Sequence, residues 1–365
     1  MNQPGPDKPP QEKDRADSRR RAPEITLPKG GGAIRGIGEK FAANPVTGTG
    51  ALSVPIATSP GRSGFGPQLS LSYDSGAGNG PFGFGWTLAL PSITRKTDKT
   101  LPRYFDALES DVFVLSGAED LVPAVDANGD PAESPAAATN PDYEIAMYRP
   151  RIEGLFARIE RWTSVANPLD VHWRSISADN VLTVYGRDST SRIVDPEDPR
   201  RIFSWLISET RDDRGNVVLY IYKPEDGTGV DLTRTSERNR GSRQDVRRTA
   251  NRYLKYIQYG NRLPVLDNGG HRPRFLTSLQ IQDAGWMFEV VFDYGEHDEL
   301  DPAPGDAGDW TPRADAFSDC RAGFEVRTTR LCQRVLMFHH FPDEAGIGQD
   351  CLVRSTDFAY SGGQV

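Results

Sequence analysis

Apolar and polar residues alternate with a period of two along most of the chain, the pattern of a strand with one face toward a core and the other toward water. The alternation predicts strands over residues 51–57, 67–74, 86–90, 112–115, 155–162, 171–176, 181–185, 202–209, 217–222, 253–259, 275–281, 286–294, 324–331, 335–341 and 352–360. Residues 286–294 are the clearest case. Trp286, Phe288, Val290, Phe292 and Tyr294 fall on one side and Glu289 and Asp293 on the other, so one face is expected to be core and the other wet. Between residues 205 and 222 the run Asp212-Asp213-Arg214-Gly215-Asn216 supplies turn chemistry between two alternating segments, which predicts a hairpin. Few segments could hold a helix of ordinary length. The expected fold class is all-β, an extended antiparallel sheet or hairpin array with long loop insertions.

Residues 29–85 hold 15 of the 36 glycines, set among short alternating segments. Leu69, Leu71 and Tyr73 point one way and Ser70, Ser72 and Asp74 the other, while the glycine clusters between strands permit positive φ and close backbone approach. The stretch reads as a tight β-meander ending in Phe82-Gly83-Phe84-Gly85-Trp86. Farther on, strands end repeatedly in tyrosine, at Tyr185-Gly186, Tyr259-Gly260, Tyr294-Gly295 and Tyr360-Ser361, a recurrence that suggests successive hairpins without the fixed period of a solenoid. Two interruptions are expected to loop out: residues 126–143, and residues 225–252 with Arg234, Arg238, Arg240, Arg243, Arg247, Arg248 and Arg252. The second is expected to be a solvated or disordered insertion with room for a short helix near Asp245. Residues 1–24 mix prolines with charges of both signs and contain almost nothing to bury, so a disordered tail, with Arg19-Arg20-Arg21 solvated, precedes one β domain over residues 25–365.

At 365 residues the chain is long enough to bury a sizeable core, and its formal net charge of -8 argues against a general nucleic-acid binder, which needs a basic surface. No run of about 18 apolar residues reads as a spanning helix, and the N-terminus lacks the apolar core of a secretory signal peptide. Export, if it occurs, is expected by another route. Cys320, Cys332 and Cys351 form no C-x-x-C pair and read as buried free thiols.

Motifs with chemical meaning fail on context. Gly78-Asn79-Gly80-Pro81-Phe82-Gly83 fits G-x-G-x-x-G, with Asp98 twenty residues beyond its first glycine, but another strand follows where a dinucleotide site needs a helix. Asp126, Asn128 and Asp130 are spaced like calcium ligands, yet the glycine falls at the fourth position of the loop and Ala137 at the twelfth, so a β-turn is expected. His339 and His340 are adjacent on a strand and should face opposite sides, one packed and one exposed. His172, His271 and His297 belong to no metal-binding motif, and the acidic residues near 297–309 are not an acid–base pair by sequence proximity alone. No catalytic, cofactor-binding or metal-ligating residue is therefore assigned.

The strings LPKGGGAIRGIGEKFAANPVTGTG (residues 27–50), VPIATSPGRSGFGPQLSLSYDSGAGNGPFGFGW (54–86) and FVLSGAEDLVP (113–123) closely resemble the N-terminal module of SpvB-type virulence proteins and of the TcB component of insecticidal Tc toxin complexes. ISETRDDRGNVVLYIY (207–222) and LVRSTDFAYS (352–361) fit the same family, so the resemblance spans residues 25–361. It implies part of a curved β-shell, related to Rhs and YD-repeat shells, that encloses a toxic polypeptide with a TcC-like partner. A propeller farther along TcB docks that shell to a pore-forming TcA-like component. The implied role is structural, without catalysis or cofactor, outside the cell after release. TcB-like chains continue beyond the equivalent of residues 362–365, so a truncated copy with an unpaired sheet edge is expected. Some SpvB-type proteins carry a mono-ADP-ribosyltransferase domain with a Ser-Thr-Ser strand and a Glu-x-Glu turn. Ser189-Thr190-Ser191 is present here, but no Glu-x-Glu is, so the triplet is expected at a turn. Two alternatives remain open: an extracellular module that binds a glycan or surface protein through exposed aromatics such as Tyr148, Trp162 or Trp310, and a remnant of an ADP-ribosylating toxin.

Overall fold

A computed structural model describes residues 40–43, 50–116, 120–154 and 156–361. The tail expected over residues 1–24 and the residues 362–365 lie outside this set. The strands, in chain order, are β1 (Lys40–Ala43), β2 (Gly50–Ile56), β3 (Leu69–Asp74), β4 (Asn79–Gly80), β5 (Gly83–Phe84), β6 (Trp86–Leu88), β7 (Ser92–Arg95), β8 (Phe113–Leu115), β9 (Asp120–Pro123), β10 (Tyr143–Pro150), β11 (Arg158–Ser164), β12 (Val171–Ile176), β13 (Leu182–Tyr185), β14 (Arg192–Asp195), β15 (Asp198–Arg211), β16 (Val217–Pro224), β17 (Arg252–Asn261), β18 (Trp286–Asp293), β19 (Pro312–Asp319), β20 (Val326–Arg330), β21 (Arg334–Phe341) and β22 (Gly348–Asp357). The α-helix among the described residues is α1 (Ser278–Gln282), five residues long. The chain is all-β, as its alternation predicts.

Eight strands close a barrel. β7 through β13 are successive neighbours, and both ends of that run pair with β15. With 14 residues, β15 serves two partners on each edge: Trp205 pairs with Ile93 of β7 and Arg192 of β14, and Glu209 pairs with Val184 of β13 and Leu219 of β16. One strand thus both closes the barrel and starts an open sheet. Eight strands leave an interior just wide enough for side chains to fill. Phe113, Tyr148, Trp173 and Trp205 fill it, with ring centroids 4.8–6.0 Å apart and both tryptophans fully buried. Each such aromatic contact adds roughly 0.5–1.5 kcal/mol beyond the area it buries. Arg95 lies beside this cluster, saturated by Asp106, Asp111 and the Ile202 carbonyl. The barrel is a solid core.

From β15 the open sheet runs β16, β17, β18, β21 and β22. One face carries Ile257, Tyr259, Phe288, Val290, Phe292 and Met337 into the same core as the barrel, and the glycine-rich layer β1-β2-β3-β6 packs there through Ile56, Leu69 and Leu71. The Tyr259 hydroxyl donates to the Ser59 carbonyl at 2.6 Å, tying the layers together. The opposite face of β18, expected to be wet, is buried. Val291 packs with Leu336 and Phe338; Glu289 accepts from Gln258 at 2.8 Å; and Asp293 accepts from Arg334 Nε at 2.7 Å. Alternation fixes which side a residue takes, whereas covering of the second side depends on distant pairing.

The predicted hairpin forms between β15 and β16, with Asp212 Oδ1 accepting from the amides of Arg214 and Asn216. The recurrent tyrosines 185, 259 and 294 are buried, and the glycine after each has positive φ. At Gly186 a Cβ would lie 2.3 Å from Trp205 Cδ1, so that strand end admits only glycine. Residues 275–281 do not form a strand: Thr277 and Gln280 make a reciprocal capping box that starts α1. Strands β1, β4, β5, β7, β9, β10, β14 and β19 are additional to those read from the alternation.

Candidate assembly edge and buried polar clusters

The open sheet ends on β22. Its ten residues pair with β21 on one side, and among the described residues it has no strand neighbour on the other. Most of its residues are exposed, including Leu352 and Val353, and a bulge falls between its pairings to Met337 and Phe338. A free strand edge presents unpaired N–H and C=O groups to any incoming strand, and Asp350, Arg354 and Asp357 blunt it with charge. After β22 the chain returns over the glycine-rich hairpin β4–β5, where Phe358 meets Phe82 edge-on and the Tyr360 hydroxyl donates to the Cys332 carbonyl at 2.6 Å.

Residues 225–252, expected to be solvated, fold down onto the sheet through buried ion pairs. Glu225 is buried and takes Arg330 Nε at 3.0 Å and Nη2 at 2.5 Å, with the guanidinium 4.2 Å from the Trp310 ring centroid. Glu237 is also buried and accepts from Arg240, Arg248 and Arg327 at 2.8, 2.6 and 2.7 Å. Both partners outside the insertion, Arg327 and Arg330, lie on β20. Arginine-rich composition made the segment look solvated because sequence separation hides β20 from it. The short helix expected near Asp245 forms as a single 3-10 turn over Val246–Thr249, capped by Asp245.

Loop 294–309 carries a further cluster. Glu296, His297 and Asp306 each bring a ligand-type atom to within 4.8 Å of the others, the donor set of a metal site. The buried Lys255 ammonium stands among them, 2.5 Å from Glu296 Oε1, 2.6 Å from His297 Nε2, 3.2 Å from Asp306 Oδ1 and 3.2 Å from the Phe292 carbonyl. His297 Nδ1 lies 2.9 Å from the Ala303 carbonyl, so that nitrogen carries the proton and Nε2 accepts from lysine. Burial, and then the Lys255 charge, push the His297 pKa below its ordinary value, which keeps the ring neutral. The lysine's three N–H groups are all engaged, and the cluster works as an internal ionic lock joining β17 to the loop. No sequence motif marks it, because Lys255 lies 41 and 42 residues before Glu296 and His297.

Gly78–Gly83 forms the β4–β5 hairpin with Phe82 buried at its tip, so the dinucleotide spacing opens no helix. Asp126 Oδ1 accepts from the amides of Asn128 and Asp130, the expected turn. Ser189–Ser191 is a capped turn, as expected. His339 and His340 face opposite sides. The first meets Phe288 and Ser59, and the second is buried against Glu289 and the Gln349 carbonyl, so neither is exposed. The cysteines are free, but Cys332 alone is buried; Cys351 is partly exposed and Cys320 exposed. Tyr148, Trp162 and Trp310, offered above as exposed binding aromatics, are all buried at 4 % exposure or less, which removes the basis of the glycan reading. No helix of the described residues is long and apolar enough to cross a membrane.

Comparison with known proteins gives a coherent result. The family model described as Salmonella virulence plasmid 65kDa B protein, SpvB, matches residues 44–341. The mono(ADP-ribosyl)transferase SpvB of Salmonella typhimurium is 36 % identical over 328 residues, which cover 88 % of this chain and 51 % of that protein. The chain therefore spans about half the length of the curated relatives it matches. The N-terminal domain of effector protein SpvB from S. typhimurium strain LT2 superposes with a TM-score of 0.67 at 33 % identity, covering 84 % of this chain and 100 % of that domain. The crystal structure of TcdB2-TccC3 superposes with a TM-score of 0.72 at 32 % identity over 92 % of this chain and 16 % of its counterpart.

Proposed function

This chain belongs to the SpvB family, and from that premise we propose that it is a non-catalytic wall segment of a bacterial toxin-complex shell that helps enclose and deliver a toxic polypeptide. The observation that carries the reading is the free strand β22 at the end of a sheet whose other members are paired or covered, in a fold matched over 92 % of the chain by TcdB2-TccC3. A wall segment needs a rigid, filled interior and an edge that accepts the next strand. The solid barrel supplies the first and β22 the second.

In this reading residues 25–365 are one module, its direct partners are a TcC-like chain, the rest of a TcB-like wall and the enclosed polypeptide, and a pore-forming TcA-like component is engaged indirectly. The assembly acts outside the cell. The match covers the half of SpvB equivalent to its N-terminal domain, so ADP-ribosyl transfer is assigned to parts of the relatives outside the matched region. Co-expression with a TcC-like partner and a complementary TcB-like segment tests the proposal. Co-purification as one complex, with no transfer from labelled NAD by this chain, is the expected outcome. Failure to co-purify where a full-length homologue assembles would refute it.

A further inference from the structure

On the outer face of the barrel wall, Arg158 of β11, Arg174 of β12, and Arg272 and Arg274 from the segment after β17 line one cleft of about 370 Å³. Against these four guanidinium groups the lining offers the carboxylates of Glu160 and Asp267. Arg174 is 6 % exposed, with its guanidinium carbon 3.7 Å from the Trp162 ring centroid and 4.6 Å from that of Phe275. Its Nε donates to His172 Nε2 at 3.2 Å, while its Nη2 is buried without a hydrogen-bond partner.

The fold explains why this cation is unpaired. Glu160 is its direct cross-strand neighbour. Both Glu160 oxygens are engaged elsewhere: Ser134 Oγ donates at 2.6 Å, Trp162 Nε1 at 2.9 Å, and Arg158 Nε lies 3.1 Å away. The next carboxylate, Glu209, stands 3.1 Å from Arg211. Arg272 donates to oxygens of Asn180 and to the Arg211 carbonyl, none of them charged; Arg274 reaches the exposed Asp142 through Nη2 at 3.4 Å, but its Nε, like Arg158 Nε, is buried without a hydrogen-bond partner. Burial, and then the charge of Arg211, push the Arg174 pKa down to about 9. Glu209 and Glu160 offset part of this charge from a distance, but neither bonds the free N–H, and a buried cation with an unbonded N–H is unfavourable, which an anion in the cleft would relieve.

We propose that this cleft is a binding site for a tetrahedral oxyanion of the phosphate class, held between Arg174 on the barrel wall and Arg272 and Arg274 on the covering segment. Donors approach from two walls, a distribution that an anion with oxygens in several directions satisfies and a planar carboxylate, which matches one fork, does not. The bound anion joins β12 to the segment that follows β17 and so stabilises the fold.

Thermal unfolding of the whole 365-residue chain tests this. The probes are inorganic phosphate, inorganic sulfate and ribose 5-phosphate, with chloride and acetate at matched ionic strength. The melting temperature is expected to rise saturably with the tetrahedral anions and not with chloride or acetate. Equal response to phosphate and sulfate identifies a free inorganic ion, and a tighter response to ribose 5-phosphate identifies a phosphate ester. Arg272→Gln, at the half-buried rim, should weaken binding about tenfold or more, the effect of losing one charge-assisted contact. Arg174→Met should abolish the response. Acetate acting as strongly as phosphate, a rise that does not saturate, or an unaltered phosphate response in Arg272→Gln would overturn the proposal, and the Arg272 variant decides it even if Arg174→Met fails to fold.

Discussion

Glu237→Gln removes one negative charge and almost no volume from the buried cluster that holds residues 225–252 against β20. In the native chain Glu237 is 4 % exposed and binds three guanidinium groups. After the change Arg240 keeps Glu325 at 2.8 Å, whereas Arg248 and Arg327 retain only neutral acceptors. Removing one partner of a buried ion pair costs about 3–5 kcal/mol, because the remaining charge stays desolvated. At roughly 2–4 °C per kcal/mol for a domain of this size class, the melting temperature should fall by about 6–20 °C. Thermal denaturation followed by circular dichroism measures it, with Arg238→Gln as the control. Arg238 is exposed and should change stability by less than about 0.5 kcal/mol. Acid pH supplies an independent check. Burial raises the Glu237 pKa, but the hydrogen bonds from Arg248 and Arg240 and the charge of Arg327 outweigh it, so the folded value lies below the ordinary 4.5. Its stabilisation is therefore complete above pH 4.5 and is lost as pH falls through the folded value, and the parent and Glu237→Gln curves should converge in acid. A melting temperature within about 2 °C of the parent at neutral pH would refute the ionic anchoring of the insertion.

Gly85→Val should lower stability by about 2–5 kcal/mol and reduce soluble yield, since Gly85 has φ +79° and a Cβ there would stand 2.5 Å from the Tyr73 ring; chemical denaturation at wild-type midpoint would contradict this. Trp310→Ala should cost about 3–5 kcal/mol, measurable by urea unfolding, because Trp310 is buried among Tyr253, Tyr294 and Arg330. His172 is held well below its ordinary pKa of 6.5, first by burial and then by the Arg174 charge. Its contribution is complete above pH 6.5 and is lost as pH falls, so His172→Gln should flatten the decline in melting temperature between about pH 7 and 5. A thiol reagent followed by mass spectrometry should label Cys320 rapidly and Cys332 only on unfolding, since burial pushes the Cys332 thiol well up.

The strands and their dry faces were legible because β-structure writes its period locally: Leu69 and Leu71, or Phe288 through Phe292, declare one core side without reference to the rest of the chain. The barrel was not. Its closure depends on β15 pairing at residues 204–211 with β7 on one edge and β13 on the other, and the run between them includes β7 and β9, four residues each and too short to show alternation. Thr277-x-x-Gln280 was readable as a helix start, but the apolar residues around it matched the strand pattern first. The polar clusters escaped for a different reason. Glu237 meets Arg327 across 90 residues, and Lys255 meets His297 across 42, so neither pairing leaves a spacing motif. The unpaired sheet edge expected near the C-terminal end of the sequence is β22, which has no second strand neighbour among the described residues.

Hydrogen exchange across Gly348–Asp357, compared between the free chain and the chain co-expressed with a TcC-like partner and complementary TcB-like wall, tests the assembly role most directly. A wall segment that receives its neighbour at β22 predicts slower amide exchange along this strand in the complex, and loss of both protection and co-purification in Val353→Lys, where a charge blocks strand addition. Unchanged exchange along β22 in a complex that forms normally, or normal assembly of Val353→Lys, would contradict it.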